Sequence, residues 1–497
     1  MGNNCFTDNF AGTKVLIMGL GLHGGGVESA RYLAGRGAEV TVTDLRDEKV
    51  LAPSIEMLTN FPIRYVLGRH EMEDFENSDL VVKNPGVRPD SPYLKAAKRI
   101  ETDISLFLAA CPARILAVTG SKGKSSTSAA LHWVLNENYN CTNAGVAAHP
   151  KKKAYLGGNI TISPLSFLNE LNERDDVVLE LSSWQLGDLR GRDLLKPRAA
   201  LITPIMKDHL DMYGAMEAYV NDKRFIYQNQ DENDVTVAAD DDWGRSFLRE
   251  SRGRPLVYSD KPLREGVKGG WIEGPAENRN HAFQGPGFAR LWEIPNSIGE
   301  PGHIVEVVPE RPLVPGFHQK QNLLIAALAL LDLGLTPEFI RESLAAFPGI
   351  EHRLEFFHES GGLKFYNDSA ATIPEAAAAA ISAFEKPPDC KANLILVTGG
   401  TDKNLDFSPL VKAAVNAKAI ILLAGTGSEK LKNLLAGDGI KYAGPFDSIE
   451  AAISAALEAA VPGDTVVLSP GCASFGMFLN EFDRGRKWKE GVKKLFP

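Results

Sequence analysis

The 497-residue chain lacks the long hydrophobic runs, the paired cysteines and the basic excess that mark several large classes of protein. No segment approaches about 18 consecutive apolar residues, so we expect no membrane span. The first ten residues, MGNNCFTDNF, have neither a basic nor an apolar stretch, so we expect no secretory signal peptide. Five cysteines without CxxC spacing predict reduced thiols in a cytoplasmic protein, with neither disulfides nor a zinc site.

The charge balance excludes a further class of partner. Lys and Arg number 54 against 63 Asp and Glu, which leaves a net charge of −9. An acidic surface repels phosphate, so neither nucleic acid nor an anionic membrane is expected as the main partner. The 44% hydrophobic and 24% charged content is that of a folded globular protein, and the length allows two to four domains.

Three segments of the chain alternate apolar strands with helical patterns, which predicts an α/β fold of three domains. Residues 1–103 open with KVLIMG, a glycine-rich turn, a helix and AEVTVTD, the pattern of a Rossmann-like parallel sheet. Residues 104–347 predict a central phosphate-loop α/β domain with a small β-rich part between 237 and 315. Residues 348–497 repeat the alternation and predict a second Rossmann-like domain.

The strongest single motif is TGSKGKSST at 119–127, which follows the strand RILAV and precedes a helix. Its glycines, Gly120 and Gly123, allow backbone N–H groups to surround phosphate, which Lys124 neutralises while Ser125 ligates Mg²⁺. Only two residues separate the glycines, so the loop is a compact variant of the usual pattern. A chance turn rich in Gly, Lys and Ser is the alternative interpretation.

Other polar residues follow predicted strands, where α/β sheets bind their ligands. Their alternative interpretation is structural: satisfied acids, a packed histidine or a tight turn that binds nothing. In the first two segments they are Gly19, Gly21, Gly24 and Asp44 of a dinucleotide-like fingerprint, Glu180 in ELSSWQL, and the group Asp208, His209, Asp211 and Lys223. In the third segment they are Arg353, suited to a phosphate, Asp368, suited to a ribose, and Lys403 and Ser474 at strand ends.

Taken together, these motifs resemble the ATP-dependent Mur ligases of bacterial cell-wall synthesis, and in particular the glutamate-adding members. The resemblance covers nearly the whole chain in the family's order: GLGLHG, GSKGKSS, GGNI, ELSSWQL, DH…D…Y…K, PGFHQKQN, HRLEF, NDSAAT, GGTDK and SPGCASF…NEFDRG. It implies that ATP phosphorylates a carboxylate of a UDP-sugar, UDP-N-acetylmuramoyl-L-alanine, and that the amine of glutamate displaces the phosphate. Positioning and charge neutralisation would supply most of the catalysis.

The resemblance also implies roles for individual residues. The catalytic set would be Lys124, Glu180, His209 and Lys223. ATP would bind Gly120, Ser121, Lys122, Gly123, Lys124, Ser125, Ser126, Asn322, Arg353 and Asp368. The UDP-substrate would bind Leu22, His23, Asp44, Arg46 and Asn159. Glutamate would bind Thr372, Lys403 and Ser474. Two Mg²⁺ sites would use Ser125, Glu180, His209 and Lys223, the last of them carbamylated.

The sequence departs from the glutamate-adding pattern at three positions. Ala370 stands where a lysine is expected, Glu481 where an aromatic residue is expected, and Gln319 where an asparagine is expected. Losing a cation and gaining an acid weakens the case for a dianionic amino acid. We predict D-glutamate, with L-glutamate or another amino acid as the alternative.

Three other functions explain less of the sequence. An NAD-dependent dehydrogenase accounts only for GLGLHG. A folylpolyglutamate synthase would not need a Rossmann-like unit before its phosphate loop. A degenerate nucleotide-binding scaffold would require a damaged site, yet Lys124, Glu180, His209 and Lys223 are all present.

Overall fold

The computed structural model describes residues 10–22, 24–143, 151–160, 162–207, 213–272, 287–290, 304–385 and 392–496. Contacts between Cα atoms divide the chain into two compact units, Met1–Val257 and Tyr258–Pro497.

The first unit opens with a five-stranded parallel sheet in the order β3-β2-β1-β4-β5. The strands are β1 Lys14–Met18, β2 Glu39–Asp44, β3 Ile63–Leu67, β4 Leu80–Lys83 and β5 Ile100–Glu101. The helices are Gly25–Ala34, Glu48–Glu56, Met72–Asn77, Pro92–Lys95 and Asp103–Ala110. Strand order reverses beside β1, between β2 and β4, and such a reversal is where open α/β sheets bind their ligands.

A second sheet follows, and in the first unit its strands lie in the order β11-β10-β9-β6-β8-β7. The strands are β6 Arg114–Thr119, β7 Ala154–Gly158, β8 Asp176–Glu180, β9 Ala199–Ile202, β10 Val235–Ala239 and β11 Arg254–Ser259. The helices are Lys124–Asn143, Ser183–Gly187, Met216–Lys223 and Asp242–Glu250. β6 pairs in parallel with β8 on one side and β9 on the other, so its carboxyl end lies in the middle of the sheet edge.

These two sheets share one hydrophobic core, which runs from Phe10 to Phe247. Phe107, in the helix after β5, packs edge-on against Phe167 of the central part, with ring centroids 5.9 Å apart. Buried parallel strands read as continuous apolar runs, which is why β1, β6 and β8 were visible in the sequence.

In the second unit, three short antiparallel strands, β12 Gly269–Ile272, β13 Gly287–Arg290 and β14 Ile304–Val308, pack against the helices Phe317–Asp332 and Pro337–Ala345. These strands confirm the predicted small β-rich part between 237 and 315, although the helix Asp242–Glu250 in that range was not predicted and residues 273–286 and 291–303 lie outside the described residues.

The last sheet has the order β15-β16-β20-β17-β18-β19. β15 is antiparallel to β16, and the other neighbours are parallel. The strands are β15 Glu355–Ser360, β16 Leu363–Asn367, β17 Leu394–Thr398, β18 Ala419–Leu423, β19 Ala443–Phe446 and β20 Thr465–Leu468. The helices are Pro374–Ala383, Ser408–Ala414, Thr426–Gly437, Ile449–Ala459 and Glu481–Leu495.

The α/β class predicted from the sequence is confirmed by these three sheets. The predicted domain boundaries, at 103/104 and 347/348, stay predictions. Among the described residues, none of the helices has the length and apolar character that crossing a membrane requires.

Candidate functional site

The phosphate loop predicted at 120–123 connects β6 to the helix Lys124–Asn143. Gly120 has φ +141°, and a Cβ built there would lie 2.0 Å from Oγ1 of Thr203. The hydroxyl of Thr119 donates to the carbonyl of Leu181 at 2.8 Å, which ties the end of β6 to the residue after β8. Only glycine fits this turn, because the backbone of the neighbouring strand end occupies the space of a side chain.

Two lysine ammonium groups converge on one carbonyl of this loop. Lys124 Nζ donates to the carbonyls of Gly120 and Ser121, each at 3.0 Å, and Lys223 Nζ donates to the same Gly120 carbonyl at 2.9 Å. The Lys223 side chain is buried, and its ammonium lies 4.4 Å from the ring centroid of Tyr219. Two positive charges beside a glycine-rich turn favour an anion, and phosphate is the anion that such turns bind.

Ser121 anchors the loop to the segment after β9. Its hydroxyl accepts from the backbone N–H of Met206 at 2.9 Å and lies 3.0 Å from the Tyr219 hydroxyl. The segment continues into residues 208–212, so the predicted roles of Asp208, His209 and Asp211 lie outside the described residues. Ser125 and Ser126 occupy the first turn of the helix that begins at Lys124 and are half-buried, whereas Lys122 is exposed.

Glu180 ends β8 next to the loop and is 1% exposed. Its Oε1 accepts from the side-chain amide of Asn159 at 2.9 Å, and Oε2 has no hydrogen-bond partner among the described residues. A buried carboxylate oxygen without a partner is costly. It is a suitable ligand for a divalent cation, so the donor set fits the predicted Mg²⁺. Asn159, predicted to orient the UDP-substrate, here orients Glu180.

The N-terminal fingerprint forms a tight turn after β1, as predicted. Asp44 holds this turn through both carboxylate oxygens. Its Oδ2 accepts a hydrogen bond from the backbone N–H of Gly21 at 3.2 Å. Its Oδ1 accepts one from the backbone N–H of Arg46 at 3.0 Å and one from Arg46 Nε at 3.1 Å. Burial alone would raise the pKa of Asp44, but hydrogen bonds from Arg46 and Gly21 outweigh it and lower the pKa below its usual value. Leu22 is exposed, and His23 lies outside the described residues.

In the second unit, Asp368 follows β16 and is almost fully buried. Oδ1 accepts from the backbone N–H of Leu354 at 3.1 Å, and Oδ2 accepts from the Ser469 hydroxyl at 2.6 Å. Burial raises the pKa of Asp368 to about 7, although those hydrogen bonds and the charges of Arg353 and Arg484 act in the opposite direction. Each carboxylate oxygen therefore already accepts a hydrogen bond from this unit.

The other residues predicted to contact ATP differ in exposure. Arg353 is exposed on the turn that Asp368 holds. Asn322 is buried in the helix Phe317–Asp332, and its amide donates to Gln319 at 3.3 Å.

The loops that carry Thr372, Lys403 and Ser474 follow β16, β17 and β20, which are adjacent in the sheet. Thr401 and Ala473 exchange both backbone hydrogen bonds at 3.0 Å, which joins the second and third loops. Lys403 is exposed, Thr372 is half-buried and Ser474 is buried. The fold thus places the three predicted amino-acid ligands at one edge of one sheet.

Arg484 was not predicted as a functional residue, although it lies in the motif NEFDRG. It is fully buried, and its guanidinium donates to the Ser369 hydroxyl at 3.0 Å, the Ser369 carbonyl at 2.8 Å and the Cys472 carbonyl at 3.1 Å. The Ser369 hydroxyl in turn donates to the carbonyl of Glu481 at 2.7 Å. Arg484 therefore joins the loops that hold Thr372 and Ser474, and burial lowers its pKa to about 10.

A phosphate loop at the middle of a parallel sheet, preceded and followed by Rossmann-like sheets, defines an α/β nucleotide-binding protein of three domains. Three family descriptions match the chain in the same order. They are the MurD-like N-terminal domain of Mur ligases at 13–105, the Mur ligase middle domain at 118–281, and the Mur ligase glutamate ligase domain at 352–472. The chain belongs to the Mur ligase family.

Similar proteins extend over the full length of the chain. The UDP-N-acetylmuramoylalanine–D-glutamate ligase of Treponema pallidum is 38% identical and covers 98% of each chain. The ligase of the same name from Roseiflexus is 39% identical over 98% of this chain and 99% of its own. Among solved structures, the UDP-N-acetylmuramate–alanine ligase of Thermotoga maritima shares the fold, with a TM-score of 0.54 at 20% identity over 97% of this chain and 99% of its own. The MurF ligase of that organism, in complex with ADP, has a TM-score of 0.52 at 17% identity over the whole of both chains.

The predicted family, the three-domain α/β fold and the ligase class are confirmed by these comparisons. Use of ATP follows from the family. The roles of individual residues, the Mg²⁺ sites and the carbamylated lysine stay predictions.

Proposed function

We propose that this chain joins D-glutamate to UDP-N-acetylmuramoyl-L-alanine at the expense of ATP, in the synthesis of the peptidoglycan precursor. The observation that carries the proposal is identity of 38–39% over essentially the whole length to ligases of that name. The convergence of Lys124 and Lys223 on the phosphate loop supports it, because the reaction needs a site for a triphosphate. We place the reaction in the cytoplasm, where ATP and the UDP-substrate are available.

The chemistry takes place in two steps. An oxygen of the substrate carboxylate attacks the γ-phosphorus of ATP, which forms an acyl phosphate and releases ADP. The amine of glutamate then attacks the acyl carbon, and the tetrahedral intermediate expels phosphate while the amine loses a proton. The first step gathers negative charge near the phosphate loop, so positive charges fixed there lower its barrier.

We assign that charge neutralisation to Lys124, whose ammonium already lies 3.0 Å from the Gly120 carbonyl, so little reorganisation is needed when phosphate arrives. Lys223 Nζ lies 2.9 Å from the same carbonyl but belongs to another element, the helix Met216–Lys223. We retain carbamylation of Lys223 as part of the proposal: its neutral amine would join the carbon of CO₂ and lose a proton, and the resulting anion would hold Mg²⁺, which would supply positive charge in place of the ammonium.

The unpartnered Oε2 of Glu180 and the hydroxyl of Ser125 are the described groups that we propose to hold Mg²⁺, with His209 and carbamylated Lys223 at a second site. Bound Mg²⁺ would neutralise phosphate oxygens. Asn159 keeps Glu180 oriented through its 2.9 Å hydrogen bond, so the free oxygen has a defined direction before any cation binds.

We propose that the remaining predicted residues bind the ends of the substrates. For the UDP-substrate these are Leu22, His23, Asp44, Arg46 and Asn159. For ATP they are Gly120, Ser121, Lys122, Gly123, Ser126, Asn322, Arg353 and Asp368. For glutamate they are Thr372, Lys403 and Ser474.

The identity of the amino acid is tested by turnover of UDP-N-acetylmuramoyl-L-alanine and ATP with D-glutamate, L-glutamate and a panel of other amino acids. We expect phosphate release and a product of the correct mass with D-glutamate. A Lys124→Met variant is the control, and it should lose turnover while keeping its folded structure by circular dichroism. Turnover with neither enantiomer, but with another amino acid, would overturn the proposal and would direct attention to Ala370 and Glu481.

A further inference from the structure

A buried ion pair joins the end of β4 to the end of the helix Ser183–Gly187. Nζ of Lys83 lies 2.7 Å from Oδ2 of Asp188, and the two side chains are 5% and 12% exposed. No hydrogen bond from another described group reaches that oxygen. The pair therefore joins two parts of the first unit, those of the N-terminal sheet and of the central sheet, through a contact between opposite charges.

On its N-terminal side, the pair adjoins the glycine-rich turn. Lys83 is the register partner of Met18, the residue that precedes Gly19, at the place where strand order reverses. The next residue, Asn84, donates its backbone N–H to the Met18 carbonyl at 2.9 Å, and a Cβ on Gly19 would lie 3.0 Å from Asn84 Cβ. A shift of Lys83 therefore shifts the loop that the turn packs against.

On the side of the central sheet, Asp222 links the pair to the phosphate loop. Asp188 follows Gly187, where an added Cβ would lie 2.7 Å from Oδ2 of Asp222. Asp222 is followed directly by Lys223, whose ammonium donates to the Gly120 carbonyl at 2.9 Å. The helix Ser183–Gly187 begins just after β8 with a capping box between Ser182 and Gln185, which fixes its first turn.

Asp188 lies among several other charged groups. Burial raises the pKa of Asp188, and the neighbouring carboxylate of Asp222 adds to that effect, while Lys83 opposes it. Asp188 also lines a cavity of about 390 Å³, together with Arg88, Trp184 and Tyr213 among others. The shared apolar core and the ion pair of Arg192 with Glu101 hold the same two parts together elsewhere, so Lys83 and Asp188 act locally beside this cavity.

We propose that Lys83 and Asp188 form a positioning pair that fixes the distance between the glycine-rich turn of the N-terminal sheet and the phosphate loop. The inference rests on the proposed function, in which one substrate has its UDP end at the turn and its reacting carboxylate at the phosphate loop. A substrate that spans both places reacts only if their spacing matches its length, and a displacement of about 1 Å can cost about 100-fold in rate. Neither residue touches the reacting atoms in this scheme.

The test compares wild type with Lys83→Met, Asp188→Asn, the conservative Lys83→Arg, and the exchange of Lys83→Asp with Asp188→Lys. Three quantities are measured below the unfolding temperature: kcat for UDP-N-acetylmuramoyl-L-alanine, the Kd of UDP alone, and the Kd of a non-hydrolysable ATP analogue. We expect kcat to fall about 10-fold or more in Lys83→Met and Asp188→Asn. Both Kd values should stay within about twofold of wild type. The double variant with the two charges exchanged, and Lys83→Arg, should each have most of the wild-type kcat.

A matched control is Arg36→Ala, which removes the 2.8 Å contact between Arg36 and Asn169, an exposed hydrogen bond between the same two parts of the chain. Its kcat should match wild type. An unchanged kcat in folded Lys83→Met, or no recovery in a folded exchange variant, would overturn the inference, since a merely structural pair changes the unfolding temperature alone. A tenfold weaker Kd for UDP in Lys83→Met would also overturn it, because Lys83 would then bind the ligand directly. Absence of turnover in wild type would refute the proposed function instead, so the two failures are distinguishable.

Discussion

Replacement of Gly120 by alanine tests whether the phosphate loop is held in place by its contact with the strand end after β9. Gly120 has φ +141°, which alanine adopts only with strain, and the new Cβ would meet two atoms of Thr203, Oγ1 at 2.0 Å and the carbonyl oxygen at 2.7 Å. The backbone oxygen cannot turn away as a side chain can. The loop would therefore have to move as a whole, and the carbonyl that Lys124 and Lys223 share would move with it.

The magnitude follows from two separate costs. A strained φ costs about 1–3 kcal/mol. Overpacking of a well-filled site costs a further ~1–3 kcal/mol. We therefore expect the free energy of unfolding of the first unit to fall by about 2–6 kcal/mol, and ATP affinity to fall with it.

The assay is urea unfolding monitored by fluorescence, together with titration of an ATP analogue. The matched control is Gly68→Ala, because Gly68 has φ +77° but no atom within 4 Å of an added Cβ. Gly68→Ala should show only the cost of the strained φ, and its affinity for the analogue should match wild type. If Gly120→Ala is no less stable than Gly68→Ala, and binds the analogue equally well, the close contact does not hold the loop.

Three further predictions concern charged groups. Glu180→Gln should lower the ligase rate about 100-fold or more and weaken the dependence of that rate on Mg²⁺ concentration, with little change in unfolding temperature. An unchanged dependence on Mg²⁺ concentration would contradict the role of the unpartnered Glu180 oxygen. For Asp368, the folded pKa of about 7 lies above the ordinary 3.8, so the protein loses stability as pH rises through that interval. The free energy of unfolding of Asp368→Asn, measured by urea unfolding, should therefore rise relative to that of wild type as the pH increases from 4 to 8. A difference between the two proteins that does not change with pH would contradict the raised pKa. Arg484→Met should lower the free energy of unfolding by about 2–6 kcal/mol, because the buried carbonyls of Ser369 and Cys472 each lose their donor at about 1–3 kcal/mol. It should also raise KM for glutamate more than KM for ATP, whereas an equal change in both would show that Arg484 does not act on the Thr372 and Ser474 loops.

Much of the fold could be predicted from the chain alone because parallel strands buried on both faces are continuous apolar runs. KVLIM, RILAVT and AIILL are of this kind, and each is a strand. The strand Ala154–Gly158 was missed, since AYLGG is short, ends in two glycines and lies at the edge of its sheet. The hairpin of β15 and β16 was missed because β15 is mostly half-buried and both strands mix polar with apolar residues.

The sequence by itself determined the family, the order of the sheets along the chain and the phosphate loop, since these depend on local residue type and spacing. Only the tertiary structure decided which charges meet. Lys223 donates to Gly120 across 103 residues of chain, and Arg484 donates to Ser369 across 115. Lys83, at the end of a strand of the first sheet, pairs with Asp188, at the end of a helix that follows a strand of the second sheet. No periodicity encodes such contacts, because they exist only after separate sheet edges have been packed together. The same packing leaves one carboxylate oxygen of Glu180 buried and without a hydrogen-bond partner among the described residues. That oxygen is therefore suited to bind a cation.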